Sequence, residues 1–200
     1  MTTTTLDFLR HGEPVGGKKY RGQTDDPLSE KGWAQMRAAT ADAQPWTALV
    51  SSPLSRCKAF AESLSERLAL PVQVEPRLAE VGFGVWEGRT AEQLKQQDPD
   101  CIFKFKLDPV ANRPQGAEPL ADFYRRVAAA YEDIQARNAG QHVLVVAHAG
   151  VIRMAICHAL GLPVEQAYRI NVGSAAIARI KIESKVGQRF DSLMWLSQGG

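Results

Sequence analysis

The chain has 200 residues, 44% of them hydrophobic, enough to bury the core of one sizeable domain without requiring a second. Its 24 Lys and Arg stand against 22 Asp and Glu, a net charge of +2. No block of like charge marks a tail, so a nucleic-acid or membrane partner is not expected. No run approaches the roughly 18 apolar residues of a membrane span. The opening Met-Thr-Thr-Thr-Thr lacks the basic and apolar segments of a secretory signal, and a cytoplasmic location is expected. Cys57, Cys101 and Cys157 are odd in number and far apart. They form no Cys-x-x-Cys or zinc-ligand pattern, so they read as thiols of a reducing compartment, with no metal or cofactor expected.

Leu6–Leu9 reads as a first strand, with a turn-rich exit from Gly12 to Pro27. Ser29 suits the cap of a helix from Glu30 toward Ala43. Ala48–Ser51 is a short second strand, and Ser52-Pro53 suggests a helix with proline in its first turn, reaching Leu68. Pro71–Glu75 alternates with period two and predicts a third strand. The segment from Arg77 to Gly116 is punctuated by Gly82, Gly84, Gly88, Pro99, Pro109 and Pro114 and reads as irregular. Residues 77–119 are therefore expected to form a lid or specificity region of the same single domain. Apolar residues at Phe123, Val127, Ala130, Tyr131 and Ile134 predict a long helix over Leu120–Arg137. His142–Val146 has the continuous apolar character of a strand buried on both faces. A helix follows from Gly150 to Ala159, closed by Gly161 and Pro163. Ala175–Ile182 and Phe190–Leu196 finish as strands. Strands alternating with helices predict an α/β domain of three layers.

Two of these strands end alike. Leu6–Leu9 runs into Arg10-His11-Gly12-Glu13, and Val143–Ala147 runs into His148-Ala149-Gly150. Ligands of open α/β sheets bind at such carboxyl-terminal strand ends. Ser51-Ser52-Pro53-Leu54-Ser55-Arg56 places an arginine near a helix start directly after the second strand. Glu80 lies within Leu78-Ala-Glu80-Val-Gly-Phe-Gly84-Val-Trp86-Glu87-Gly88. Displacing a phosphate monoester's leaving group needs a nucleophile, neutralisation of the phosphoryl oxygens and a proton for the departing oxygen. His11 can attack phosphorus. Arg10 and Arg56 are permanently charged forks suited to phosphate oxygens, and His148, protonated in the phosphate's field, would add a third cation. Glu80 is the candidate acid and base, with Glu13 and Glu87 as nearby rivals. His142 and His158 carry no motif and read as peripheral. Trp33, Trp46 and Trp86 read as core or rim packing.

Together the four segments resemble the histidine phosphatase superfamily, with its phosphoglycerate-mutase-like fold, over nearly the whole chain. The resemblance implies an α/β/α sandwich on a mostly parallel sheet with at least one antiparallel strand. It implies a hydrolase of phosphoric monoesters working through a phosphohistidine on His11, with Arg10, Arg56, Glu80 and His148 as the remaining catalytic set and no cofactor. The partner would be a small phosphate monoester, and the chain a monomer or homodimer.

The chain departs from the family pattern at one edge of the site. Pro14 follows Glu13, where the family has Thr or Ser, and Gly16-Gly17 stands where a phosphate-holding Asn would fall. Backbone around Gly17, or the side chains of Tyr20, Arg21, Gln23 and Thr24, are the candidates to replace it, with Ala149 as a further phosphate neighbour beside His148. Within the superfamily, the Gly-Gly insertion, Glu30–Met36, Phe83–Arg89 and Pro114–Pro119 resemble the α-ribazole phosphatase branch. That placement implies α-ribazole 5′-phosphate as substrate in cobalamin nucleotide-loop assembly. A broad-specificity sugar-phosphate or nucleotide phosphatase, a phosphoglycerate-type mutase and a non-catalytic phospho-ligand module are the alternatives. The mutases of this type carry a longer middle insertion and a shielding tail, and a non-catalytic module would have lost His11 or Glu80.

Overall fold

The computed structural model describes residues 1–42 and 45–199 and folds them around one six-stranded sheet. The strands are β1 (Thr2–Arg10), β2 (Ala48–Ser51), β3 (Val72–Val74), β4 (His142–Ala147), β5 (Ile177–Lys185) and β6 (Gln188–Leu196), in the spatial order β3-β2-β4-β1-β5-β6. β1, β2, β3 and β4 pair in parallel, whereas β5 runs antiparallel to β1 and β6 antiparallel to β5. The principal helices are α1 (Glu30–Ala39), α2 (Ser55–Leu68), α3 (Ala91–Gln97), α4 (Cys101–Leu107), α5 (Leu120–Arg137) and α6 (Ala149–Leu160).

Alternation along β4 explains the layering. Val143 and Val145 pack with Phe8, with Phe123, Val127 and Ile134 of α5, and with Ile152 and Ile156 of α6. Leu144 and Val146 face the other way, toward Met36 of α1 and Phe60 and Leu64 of α2. A strand side chain reverses face at each residue, so a continuous apolar run serves two cores at once. Burying one such side chain is worth about 1.5–3 kcal/mol. The three-layer α/β/α expectation is met, including the antiparallel strands.

Several boundaries move for local reasons. β1 begins at Thr2 rather than Leu6, because the β-branched threonines pair with Lys181–Ser184 of β5. The first helix stops at Ala39, where the Thr40 hydroxyl donates back to the Met36 carbonyl at 3.0 Å. Its expected end at Ala43 lies outside the described residues. α2 starts at Ser55, beyond Pro53, because Leu54 keeps the extended conformation of an N-cap. The α2 N-terminus is capped instead by Asp25, which accepts from Ser55 N at 2.7 Å and Ser55 Oγ at 2.8 Å. β5 begins at Ile177 rather than Ala175, since Ala175 sits in the left-handed region at φ 55°, which breaks an extended run.

The middle segment is more regular than its glycines and prolines suggest. Thr90 and Gln93 form a reciprocal capping box at the head of α3, and α4 follows. Trp86, Leu94, Ile102 and Phe105 make a third, small apolar cluster with Tyr20, Phe83 and Tyr168 packed on it. Among the described residues no helix is long and apolar enough to cross a membrane.

Candidate active site

β1 and β4 lie side by side in register, with Arg10 opposite Ala147, and His11 N donates to the Ala147 carbonyl at 3.0 Å. Parallel pairing thus delivers His11 and His148 to the same sheet edge from positions 137 residues apart in the chain. Their ring centroids are 5.2 Å apart. His11 Nδ1 faces the Gly12 carbonyl at 2.7 Å. A carbonyl can only accept, so Nδ1 carries the proton and Nε2 keeps its lone pair. Burial, then the charges of Arg10 and Arg56, hold the imidazole pKa well below its ordinary value. His11 presents a neutral, oriented imidazole to a cavity of about 250 Å³ that it lines.

His148 is fully buried behind it, with Nε2 2.6 Å from Ser52 Oγ and the ring against Cys57 Sγ. Ser52 Oγ also accepts from Leu54 N at 3.3 Å. Burial and the neighbouring Arg56 push the His148 pKa well down too. The protein's own field therefore keeps His148 neutral, and the cationic form expected from sequence needs the added charge of a phosphate.

The two arginines are anchored by their ends. Arg56, 1% exposed, donates Nη1 to the Thr24 carbonyl at 2.8 Å and Nη2 to the Gly22 carbonyl at 2.9 Å. Arg10 donates Nη1 to the Val172 carbonyl at 2.7 Å. In both, Nε–H is buried with no partner among the described residues. An unmet buried donor costs about 1–3 kcal/mol, and both arginines line the cavity together with His11. Desolvation, aided by nearby Arg153, pulls the Arg10 pKa down to about 10.

Glu80 faces the same cavity, nearly buried. Its Oε1 accepts from Val81 N at 2.9 Å and Oε2 from Gly150 N, in the first turn of α6, at 3.1 Å. Gly150 is required for that approach: a Cβ there would stand 2.3 Å from Glu80 Oε1. Arg126 of α5 fixes the segment from below, donating Nη1 to the Arg77 and Ala79 carbonyls and Nη2 to the Glu80 carbonyl while paired with Glu118. The rival carboxylates are otherwise employed. Glu87 accepts from Phe83 N, Gln23 N and Thr24 Oγ1, tying two loops together. Glu13 lines the cavity but pairs with Lys31 at 3.1 Å.

The downstream edge is rebuilt around Arg21. It lines the cavity, held by Asp26 at 2.9 Å and the Val15 carbonyl at 2.6 Å. Gly16 and Gly17 both take left-handed φ, 81° and 72°. Gly17 and Ala149 line the cavity as expected, and Tyr20 also does. Gln23 and Thr24 do not. Gln23 donates to the Glu80 carbonyl and Thr24 to Glu87, so they support the walls from outside. Sequence reasoning missed Lys18, Lys19, Phe83, Phe105, Lys106, Arg153, Tyr168 and Ser174, all of which line the cavity. Helical spacing alone could have flagged Arg153, which lies one turn beyond Ala149. His142 binds Asp7 at 2.8 Å, with Trp46 Nε1 on the same carboxylate, and His158 binds Glu132 at 2.6 Å. Both histidines are structural. Among the described residues no three His, Cys, Asp or Glu side chains gather to hold a metal.

A family model described as histidine phosphatase superfamily, branch 1, matches residues 6–193. The chain belongs to that superfamily. The chain is 30% identical to phosphoserine phosphatase 1 of Hydrogenobacter thermophilus over 186 residues, 90% of this chain and 87% of that one. It is 35% identical over 182 residues to a bifunctional protein of Mycobacterium tuberculosis, covering 88% of this chain and 50% of the relative. The chain thus spans about half the length of that relative. Among solved structures, mycobacterial glucosyl-3-phosphoglycerate phosphatase bound to VO3 superposes with a TM-score of 0.85 at 29% identity, covering 96% of this chain and 97% of the other. A putative α-ribazole-5′-P phosphatase from Escherichia coli superposes at 0.79 and 28% identity, covering 98% and 97%.

Proposed function

We propose that this histidine phosphatase hydrolyses small phosphate monoesters through a phosphohistidine on His11. The observation that carries the reading is the fixed His11 tautomer, which leaves Nε2 its lone pair, in a cavity lined by two arginines whose buried Nε–H donors have no partner among the described residues. In the first step Nε2 bonds to phosphorus and the ester P–O bond breaks. Arg10 and Arg56 stabilise the charge on the transferring group, and the leaving oxygen takes the proton of Glu80 in its carboxylic acid form. In the second step water attacks phosphorus, Glu80 takes its proton, and the P–N bond breaks to release orthophosphate. General acid–base help of this kind contributes about 10²–10⁴ in rate.

Two substrate classes compete for the finer reading. The sequence segments that resemble α-ribazole phosphatases, together with the Escherichia coli neighbour, support α-ribazole 5′-phosphate, and Tyr20, Phe83, Phe105 and Tyr168 offer an aromatic wall for its base. The phosphoserine phosphatase and glucosyl-3-phosphoglycerate phosphatase relatives support a monoester that also carries a carboxylate. The test is kcat/KM across α-ribazole 5′-phosphate, phosphoserine, 3-phosphoglycerate and p-nitrophenyl phosphate. Orthophosphate release from any of them, without a bisphosphorylated primer, supports hydrolysis over mutase chemistry. No release from all four overturns the reading.

A further inference from the structure

Beyond the phosphoryl end, the cavity carries more positive charge than a phosphate requires. Arg10 and Arg56 stand next to His11, and Arg21 is neutralised by Asp26. Arg153 is different. It projects from α6 into the cavity, with Nε donating to the Ile170 carbonyl at 2.9 Å and the guanidinium carbon 5.4 Å from the centre of the Tyr168 ring. Tyr168 is itself held edge-on by Phe105 of α4, their centroids 4.6 Å apart.

That leaves the two η nitrogens of Arg153 with no hydrogen bond or ion pair to any described residue. The groups whose charges couple to it are Arg10, Glu80, Tyr168 and Tyr20. Of these only Glu80 is an acid, and both Glu80 oxygens are taken by backbone N–H groups. A largely buried cation beside a second cation is unfavourable unless a ligand compensates it. The free edge of a guanidinium held at Nε is a two-donor fork, the shape that matches a carboxylate.

We propose that Arg153 binds a carboxylate of the substrate, so that this protein prefers phosphate monoesters bearing a carboxylate over the same esters without one. The proposal rests on the phosphomonoesterase reading and selects between its two substrate classes. Holding the guanidinium by Ile170 and Tyr168 in advance means that little of the binding energy is lost to ordering it. Lys106, from α4, lines the same cavity and is free of ion pairs among the described residues, adding to the field that attracts a second anion.

Matched pairs test this directly: phosphoserine against phosphoethanolamine, and 3-phosphoglycerate against glycerol 3-phosphate, with p-nitrophenyl phosphate as a common reference. The wild type is expected to favour the carboxylated member of each pair. Arg153→Met should lower kcat/KM for the carboxylated esters roughly 10- to 100-fold, the loss of one charged hydrogen-bonding partner. It should close the gap within each pair and leave p-nitrophenyl phosphate within about threefold, the range of a contact not made. Arg153→Lys, which keeps the charge but not the fork, should restore part of the preference. A wild type without the preference overturns the proposal. An equal loss on every ester, or a shifted pH profile with p-nitrophenyl phosphate, also overturns it and places Arg153 on the phosphoryl group or on Glu80. If the wild type turns over none of the five esters, the hydrolase reading itself fails and takes the proposal with it.

Discussion

At His11 a single backbone carbonyl decides which nitrogen keeps its lone pair, and burial, then the surrounding arginines, keep the ring neutral. His11→Ala is therefore expected to reduce turnover of p-nitrophenyl phosphate by on the order of 10⁴-fold or more, with an unfolding midpoint close to wild type. Substantial residual turnover would rule out this route. The same burial sets a stability rule. His11 and His148 have folded-state pKa values well below the ordinary imidazole value. As pH falls through about 6.5 the unfolded chain takes up protons that the folded one refuses. Stability is then full above that pH and declines below it, by about 1.4 kcal/mol per pH unit for each histidine. Urea unfolding between pH 7.5 and 5.5 measures this, a window above the ordinary carboxylate range. His148→Asn should remove about half of the slope assigned to the pair, and an unchanged slope would contradict the assignment.

At the scale of elements, the site depends on how closely the segment bearing Glu80 approaches the N-terminus of α6. Gly150→Ala would drive a methyl group into Glu80 Oε1. It is expected to lower kcat by about 10²-fold, the low end of what acid–base help contributes, while orthophosphate still binds. An unchanged kcat would show that Glu80 need not sit where the structure holds it. The elements also show what was legible in the chain. β1, β2, β4, α5 and α6 carry their period and their end signals locally, and Arg10, His11, Arg56 and His148 adjoin strand ends or the helix start after β2, so their placement was readable; Glu80 lies in the irregular segment and stood out only through its Leu-x-Glu motif. α3 and α4 were not, because seven-residue helices, one between Gly88 and Pro99 and one between Pro99 and Pro109, leave too little periodicity, although Thr90-x-x-Gln93 was a usable start signal. Ser52 read as a helix start because nothing local reveals that its hydroxyl turns to His148, 96 residues away. Arg126 and Arg153 were missed for a related reason. Their work is defined by distant carbonyls, at Arg77, Ala79 and Glu80 for one and at Ile170 for the other.

Across the whole molecule, the sheet brings Arg10 of β1, Arg56 of α2 and Arg153 of α6 to one carboxyl edge, where none of them forms an ion pair among the described residues and Glu80 is the carboxylate acting on Arg10 and Arg153. Orthophosphate, the expected product, should then stabilise the fold. At 100 times its Kd it adds about 2.7 kcal/mol, which for a chain of this size raises Tm by roughly 5–10 °C. Arg56→Met should remove most of that shift, as read by thermal unfolding with and without phosphate. The same convergence makes the covalent step the point on which everything else turns. Rapid quenching of wild-type protein during turnover of a ³²P-labelled monoester, followed by peptide mapping, tests it most directly. The expected result is base-stable, acid-labile phosphate on the peptide containing His11, absent from His11→Ala and accumulating when Glu80→Gln slows hydrolysis. Turnover at a normal rate with no label on His11 would contradict it.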